Sequence, residues 1–358
     1  MSAEKGIWIN QQFLSYSQIR VRNNYSEFEA YFQQSLDICH RWLNGITTLE
    51  IKTSGSTGTP KTIELNRDQL ISSIEATRVA LGLNSKDHAL VCINTQYIGG
   101  IMMMLRCIEI QMDMTIVYPS SNPLESTIHI FDFIALVPLQ LEKLILNGFL
   151  DQLNKSKVII IGGAPLIDSI EKKIQSITTP CYHTYGMTET ASHFALKRLN
   201  GTEKKPYFEC LPGVEIQKTK EELLQVRGKI TKGKWITTHD RVELISSHSF
   251  VWKGREDEVI NSGGVKLYIP DLENEINQLF EQRLNQPTFF LSSISDAQLG
   301  QKLVMIIEGK PQSNLLEYLK GNLKEFHSPK EIYYVDKIPR TETGKIKKKE
   351  ALKTLSIL

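Results

Sequence analysis

Four short apolar runs in the first half of the chain, residues 87–93, 115–117, 134–137 and 158–161, constrain the fold most. None alternates with polar residues, which is the pattern of a strand covered on both faces of its sheet. Helical stretches separate the runs, and strands that alternate with helices build a parallel sheet under helical layers. The chain is therefore expected to be an α/β protein. Met102, Met103 and Met104, in the helix after the first run, read as core filler.

The flanking segments extend this frame. A short strand at 7–9, a helix around 26–42 and a strand at 48–51 precede it, and Asn66 is placed to cap a helix over 67–81. After residue 180 the pattern turns β-rich and glycine-punctuated, with runs at 214–217, 222–227, 235–238, 242–245 and 250–252, which predicts an antiparallel β subdomain. Four consecutive charges at 255–258 mark a linker. A helix at 269–284 and strands at 288–292, 302–308 and 331–335 then describe a small α+β domain of about a hundred residues. The expected division is a large N-terminal domain, 1–256, and a C-terminal domain, 257–358.

The chemistry sits in loops. Thr53, Ser54, Gly55, Ser56, Thr57, Gly58, Thr59, Pro60 and Lys61 combine glycines, hydroxyls and a lysine. Glycines let backbone N–H groups turn toward an anion, hydroxyls add donors and the lysine adds a cation, so the stretch reads as a phosphate-holding loop or as a plain surface turn. It is not the nucleotide P-loop, which needs glycine directly before lysine, and G-x-G-x-x-G is absent too. The run at 158–161 leads into Gly162, Gly163, Ala164 and Pro165, where glycines would admit a flat ligand close to the backbone or simply turn the chain. A short strand at 180–183 is followed by Thr184, Tyr185, Gly186, Met187, Thr188, Glu189 and Thr190. This supplies an aromatic to stack, a hydroxyl to donate to phosphate and a carboxylate to hold a hard cation such as Mg²⁺. Asp240 and Arg255 sit at the ends of two later strands, where an aspartate can accept from ribose hydroxyls or serve only a turn.

Composition narrows the partners. A net charge of +2 gives no reason to expect nucleic acid or an anionic membrane as the main partner. The cysteines, Cys39, Cys92, Cys107, Cys181 and Cys210, are odd in number and lack C-x-x-C spacing, which fits free thiols in a reducing compartment. The first residues hold no apolar signal segment, and no apolar run approaches the ~20 residues of a membrane span. A cytoplasmic protein is expected.

Taken in order, the 53–61 loop, the 162–165 turn, the 185–190 run, Thr238-His239-Asp240, Gly254-Arg255-Glu256-Asp257 with Ser262-Gly263-Gly264, and Pro339-Arg340-Thr341-Glu342-Thr343-Gly344-Lys345 resemble one superfamily. It is the acyl-adenylate-forming superfamily of acyl-CoA synthetases, luciferases and peptide-synthetase adenylation domains, and the likeness runs over residues 48–355. The resemblance implies a ligase that uses ATP, Mg²⁺ and CoA in two half-reactions. A carboxylate attacks the α-phosphorus of MgATP, and the CoA thiol then displaces AMP. The 53–61 loop would grip the β and γ phosphates, and the 162–165 turn with Tyr185 and Gly186 would hold adenine. Thr188 would touch the α-phosphate, Glu189 would help hold Mg²⁺, and Asp240 and Arg255 would take the ribose hydroxyls. Lys345, on a small mobile C-terminal domain, would bridge the α-phosphate and the substrate carboxylate. Asp257 falls at the hinge position, Gly263 and Gly264 in the loop that lines the thiol channel, and Tyr97 at the aromatic gate of the acyl pocket.

The sequence also departs from the superfamily. Only 52 residues precede the phosphate loop, fewer than its members usually carry, so a shortened N-terminal subdomain is expected. The Thr-Gly-Asp motif reads Thr238-His239-Asp240, and Pro-x-Glu is shifted to Ile269-Pro270-Asp271. Residues Gln96, Tyr97, Ile98, Gly99 and Gly100 through Leu105 and Arg106, then 114–116 and 136–141, are similar to the o-succinylbenzoate-CoA ligases of menaquinone synthesis. Alternatives are another acyl- or aryl-CoA synthetase, acting on benzoate or a fatty acid, or a stand-alone adenylation domain serving a carrier protein. A second carboxylate on the acid would need a cation or polar donors, for which Arg106, His193 and Lys197 are the candidates; Arg106 also reads as a helix-surface residue. A homo-oligomer is left open.

Overall fold

The computed structural model describes residues 4–22, 24–53, 61–166, 168–281, 287–340 and 346–355. Two compact units emerge: Met1–Thr238 with Val242–Trp252, and His239–Arg241 with Lys253–Leu358.

The first unit opens with a hairpin, β1 (Gly6–Ile9) and β2 (Gln12–Ser15), and the helices α1 (Tyr16–Val21) and α2 (Ala30–Leu43). The helix α1 starts at a capping box in which Ser15 Oγ accepts from Gln18 N and Gln18 Oε1 accepts from Ser15 N. A second hairpin, β3 (Thr48–Thr53) and β4 (Lys61–Asn66), leads into α3 (Arg67–Leu81). As the sequence predicts, Asn66 caps α3, again as a box with Gln69, an arrangement worth about 1 kcal/mol.

Then come β5 (His88–Val91), α4 (Ile98–Ile110), β6 (Asp113–Ile116), β7 (Phe133–Leu136), α5 (Pro138–Leu146), α6 (Leu150–Leu153), β8 (Val158–Ile161), α7 (Asp168–Ile174) and β9 (Cys181–Gly186). Strands β9-β8-β7-β5-β6-β1 lie parallel in that spatial order. From β5 the chain goes first to β6 on one side and then to β7 on the other, and a crevice outside the carboxyl ends at such a switch is where open α/β sheets bind ligands. The three methionines of α4 are at most 1% exposed and pack in the core, as expected. Trp42 of α2 donates to Glu109 of α4 at 2.7 Å, while Arg67 of α3 stacks 3.8 Å from the Trp42 ring and donates to the same carboxylate, so three helices share one clasp.

The β-rich half pairs antiparallel, as expected, and is continuous with the parallel sheet. Strands β10 (His193–Arg198), β11 (Phe208–Cys210), β12 (Val214–Lys218), β13 (Leu223–Gly228), β14 (Ile236–Ser246) and β15 (Ser249–Arg255) prolong the parallel sheet through β9 into one of 13 strands. The polar run that suggested a break at 239–241 lies inside β14. Thr238 and Val242 stay buried while His239 and Glu243 are exposed, so the alternation persists where the hydrophobicity lapses.

In the second unit, β16 (Val259–Ser262), β17 (Val265–Tyr268), α8 (Ile269–Glu281), β18 (Phe289–Asp296), β19 (Gly300–Glu308), α9 (Leu315–Asn322), β20 (Glu331–Val335) and α10 (Lys348–Thr354) follow. The sheet order is β17-β16-β19-β18, with β20 parallel to β19. The helix α8 buries Ile269, Leu272, Ile276 and Phe280, one apolar stripe at helical spacing. The charged run expected as a linker forms a single 3₁₀ turn, Glu256–Glu258, directly before β16.

Candidate active site

The carboxyl ends of the parallel strands gather most of the residues singled out in the first unit. Gly162 and Gly163 follow β8, and Tyr185 and Gly186 end β9, which runs three residues further than the sequence suggested. Thr184 Oγ1 donates to Ile161 O at 3.2 Å, and a Cβ on Gly162 would fall on that hydroxyl. His183 Nε2 lies 3.4 Å from Ala164 O, and burial, with the charge of Lys197, pushes the imidazole down to about 4. Neutral at ordinary pH, it can donate from Nε2 to that carbonyl. Two neighbouring side chains of β9 thus hold the turn that follows β8. The Tyr185 ring is packed by Phe194, Phe208 and Phe250, at 5.3, 5.5 and 5.1 Å between centroids. Gly186 has a packing reason of its own: a Cβ there would strike the backbone of Ser192 and His193.

Thr188–Thr190 form a 3₁₀ turn. Thr190, fully buried, clamps it by accepting from Met187 N and lying within hydrogen-bond distance of the Met187 and Ser192 carbonyls, a role the sequence reading did not assign. Glu189 is half-buried and makes no ion pair or hydrogen bond with another described residue. A carboxylate and the Thr188 hydroxyl are hard oxygen donors, which fits a magnesium ion that takes its other ligands from phosphate and water.

Arg106 is not a helix-surface residue: it is 1% exposed in the middle of α4. Its Nη2 donates to Ser192 Oγ at 2.7 Å, its Nε has no partner, and it forms no ion pair with a carboxylate among the described residues. Burial lowers its pKa to about 10, which leaves it charged at neutral pH. Ser192 Oγ in turn lies 3.4 Å from His193 Nδ1, while His193 Nε2 lies 3.2 Å from Thr77 Oγ1, whose hydroxyl donates to Ser73 O. With that proton committed, Thr77 Oγ1 accepts from Nε2–H, so Nδ1 is left as the acceptor for Ser192. Burial, then the Arg106 charge, holds His193 well below its usual range, consistent with this neutral tautomer. Lys197, the third candidate, is paired with Glu171 at 2.8 Å.

Tyr97 stands at the N-cap position of α4, half-buried, after the carboxyl end of β5. Gly99 has room for a Cβ, 3.6 Å from Ile93 Cγ2, whereas Gly100 has none because Asn94 O is in the way. In the second unit's segments, Asp240 lies within β14 rather than at its end, and Arg255 closes β15. Gly263 and Gly264 make the two-residue turn between β16 and β17. Ser54, Gly55, Ser56, Thr57, Gly58, the side chains of Thr53, Lys61 and Asp257, and Lys345 lie outside the described residues. Cys39, Cys92, Cys181 and Cys210 are pushed up to about 12 by burial and remain thiols at neutral pH, so none is an activated nucleophile.

A glycine turn, an aromatic strand end and a carboxylate that pairs with no other described residue, gathered at the carboxyl ends of an open α/β sheet, stand where α/β enzymes of the nucleotide-binding class place their ligands. The profile of the AMP-binding enzyme family matches residues 51–231, and a solved structure from Dyadobacter fermentans described as an acyl-CoA synthetase (AMP-forming)/AMP-acid ligase II-like protein is 36% identical over 95% of this chain and 98% of its own, with a TM-score of 0.64. The chain belongs to the AMP-binding enzyme family, as an AMP-forming acid–CoA ligase. It is 26% identical to the 2-succinylbenzoate–CoA ligase of Lactococcus lactis over 84% of this chain and 69% of that protein. The Bacillus subtilis o-succinylbenzoate CoA synthetase, solved with its acyl-adenylate intermediate, shares the fold at a TM-score of 0.70 and 20% identity, over 84% of this chain and 68% of its own. The chain spans about two thirds of the length of these two ligases. Among the described residues no helix is long and apolar enough to cross a membrane.

Proposed function

We propose that this ligase activates o-succinylbenzoate, adenylating one of its two carboxylates with MgATP and passing the acyl group to CoA, as a step of menaquinone synthesis. The observation that carries the reading is Arg106, a buried guanidinium without a carboxylate partner among the described residues. Leaving a charge uncompensated in the interior costs several kcal/mol, on the order of 3–5, and a dicarboxylic substrate would supply the missing anion. Ser192, already within reach of Arg106, would turn its hydroxyl from His193 Nδ1 to the same carboxylate when the acid binds, and His193 stays neutral behind it. The likeness to 2-succinylbenzoate–CoA ligases supports the same acid.

The other roles are proposals of the same reading. The 53–61 loop takes the outer phosphates, the 162–165 turn and Tyr185 take adenine, and Asp240 and Arg255 take ribose. Mg²⁺ at Glu189 would neutralise phosphate charge, and Lys345 would bridge phosphate and carboxylate; donors aimed at charge that develops in the transition state are the main resource of such a site. Tyr97 is assigned to the gate of the acyl pocket, Asp257 to the hinge, and Gly263-Gly264 to the thiol channel.

The test is a carboxylate panel in a CoA-dependent AMP-formation assay. The highest kcat/KM is expected with o-succinylbenzoate; preference for benzoate or a fatty acid would overturn the substrate. Pyrophosphate release that never leads to a CoA thioester would overturn the transfer step in favour of a stand-alone adenylating domain.

A further inference from the structure

A second cleft, of about 410 Å³, opens on the far side of β5 from the adenine turn, beside β1 and β6, and none of the site residues described above lines it. Its walls include Trp8 of β1, Phe32 of α2, Tyr118 just beyond β6, and His129. Trp8 and His129 meet at 5.1 Å with their planes 49° apart, and Phe32 and Tyr118 meet at 6.4 Å, edge to face. Among the described residues Glu29 is the single acidic one of the lining, and neither lysine nor arginine contributes to it. Although Glu29 holds the N-cap position of α2, its side chain makes no cap hydrogen bond and no ion pair with another described residue. Tyr118 is 59% exposed, a large ring kept in water.

Aromatic walls offer negative ring faces, and an unpaired carboxylate offers a counter-charge. That combination recognises a cation whose charge is spread over an apolar body, because such a cation loses little hydration and gains several ring contacts. We propose that this cleft binds a small organic cation, an alkylammonium group held among Trp8, Tyr118 and Phe32 with Glu29 as its counter-ion. A bare metal ion is a poorer fit, since the described lining offers one carboxylate and one imidazole and otherwise amides, hydroxyls, aliphatic side chains and aromatic rings. The position gives the cleft a neighbour of interest. Tyr118 contacts Tyr31 at 4.9 Å, and Tyr31 Oη accepts from Thr95 N, two residues before Tyr97.

The experiment titrates the full chain with choline and, in parallel, with 3,3-dimethylbutan-1-ol, which has the same shape without the charge. Calorimetry reports binding, and tryptophan fluorescence, compared with Trp8→Phe, reports its place. A saturable choline response in the millimolar range is expected, weakened about tenfold or more with the uncharged isostere and in Glu29→Gln, whose exposed position spares the fold. An equal response to the isostere, a choline affinity unchanged in Glu29→Gln, or no saturable binding would each overturn the site.

Discussion

Arg106 Nη2 and Ser192 Oγ stand 2.7 Å apart, joining the middle of α4 to the turn before β10. Beyond Ser192 the donors run in one direction, through His193 and Thr77 to the Ser73 carbonyl. The chain of hydrogen bonds begins at a cation and ends at a backbone oxygen, so no carboxylate inside it balances the charge. Apolar packing at this position would serve stability at least as well, which is why the proposed function gives the charge to the substrate.

Stability and activity should therefore move in opposite directions at this position. Arg106→Met replaces an uncompensated buried cation by an apolar chain of similar length, and such exchanges are neutral or stabilising by roughly 1–4 kcal/mol. The denaturation midpoint is expected to hold or rise, while kcat/KM for the diacid falls about a hundredfold or more, since the substrate carboxylate would lose a charged hydrogen bond. A variant that is destabilised yet fully active would show that Arg106 serves the fold and not the acid.

Gly162 and Thr184 make a second coupled pair. Gly162→Ala places its Cβ on the Thr184 hydroxyl, so the turn after β8 must shift, at a cost of about 1–3 kcal/mol. Thr184→Ala removes the obstacle, and the double variant is expected to recover most of the lost stability together with the KM for ATP. If Gly162→Ala lowers stability while the ATP KM stays unchanged, the turn is structural and adenine is bound elsewhere.

Much of the frame was legible: β8, buried along its whole length, matches its expected run residue for residue, as does the half-buried β20, and α3 starts at its capping Asn66. The hairpin strand β2 and the helix α1 escaped, although Ser15-Tyr16-Ser17-Gln18 is a capping-box signature that could have announced the helix. The burial of Arg106 was not legible either. Spacing along α4 could not separate a core face from a solvent face, because apolar residues surround the arginine on every side of the helix. Thr190 shares its letter with the neighbouring Thr188, and only the folded turn shows which of the two hydroxyls is consumed internally.

The buried histidines predict the acid side of the stability profile. Burial lowers His183 and His88 from 6.5 to about 4, and holds His193 well below its usual range. In the unfolded chain each takes up its proton near 6.5, so between about pH 6.5 and 4 the unfolded state holds more protons and stability falls as pH falls. Above that window both states are neutral and these groups add no slope. His183→Gln removes the titration and keeps a donor for Ala164 O; the slope of unfolding free energy below pH 6.5 should shrink by about 1 kcal/mol per pH unit. An unchanged slope would mean that His183 is protonated in the folded protein.

The last prediction separates the two half-reactions at the turn between β16 and β17. Gly263 and Gly264 have φ of 59° and 85°, and a two-residue hairpin turn with both φ values positive favours Asn-Gly as strongly as Gly-Gly. A Cβ on Gly263 would come within 3.1 Å of Leu299 Cδ2, the movable end of a side chain. Gly263→Asn should therefore fold with a change of no more than about 0.5 kcal/mol, since the turn conformation suits asparagine and the neighbour can yield. What it adds is an amide side chain on the segment assigned to the thiol channel. Pyrophosphate release measured without CoA should stay within about twofold of the parent, while thioester formation from supplied acyl-adenylate slows about tenfold or more, because a group misplaced by an ångström in a reaction channel costs far more rate than stability. Equal rates for both half-reactions would remove Gly263 from the channel, and a loss confined to adenylation would place the turn beside ATP instead.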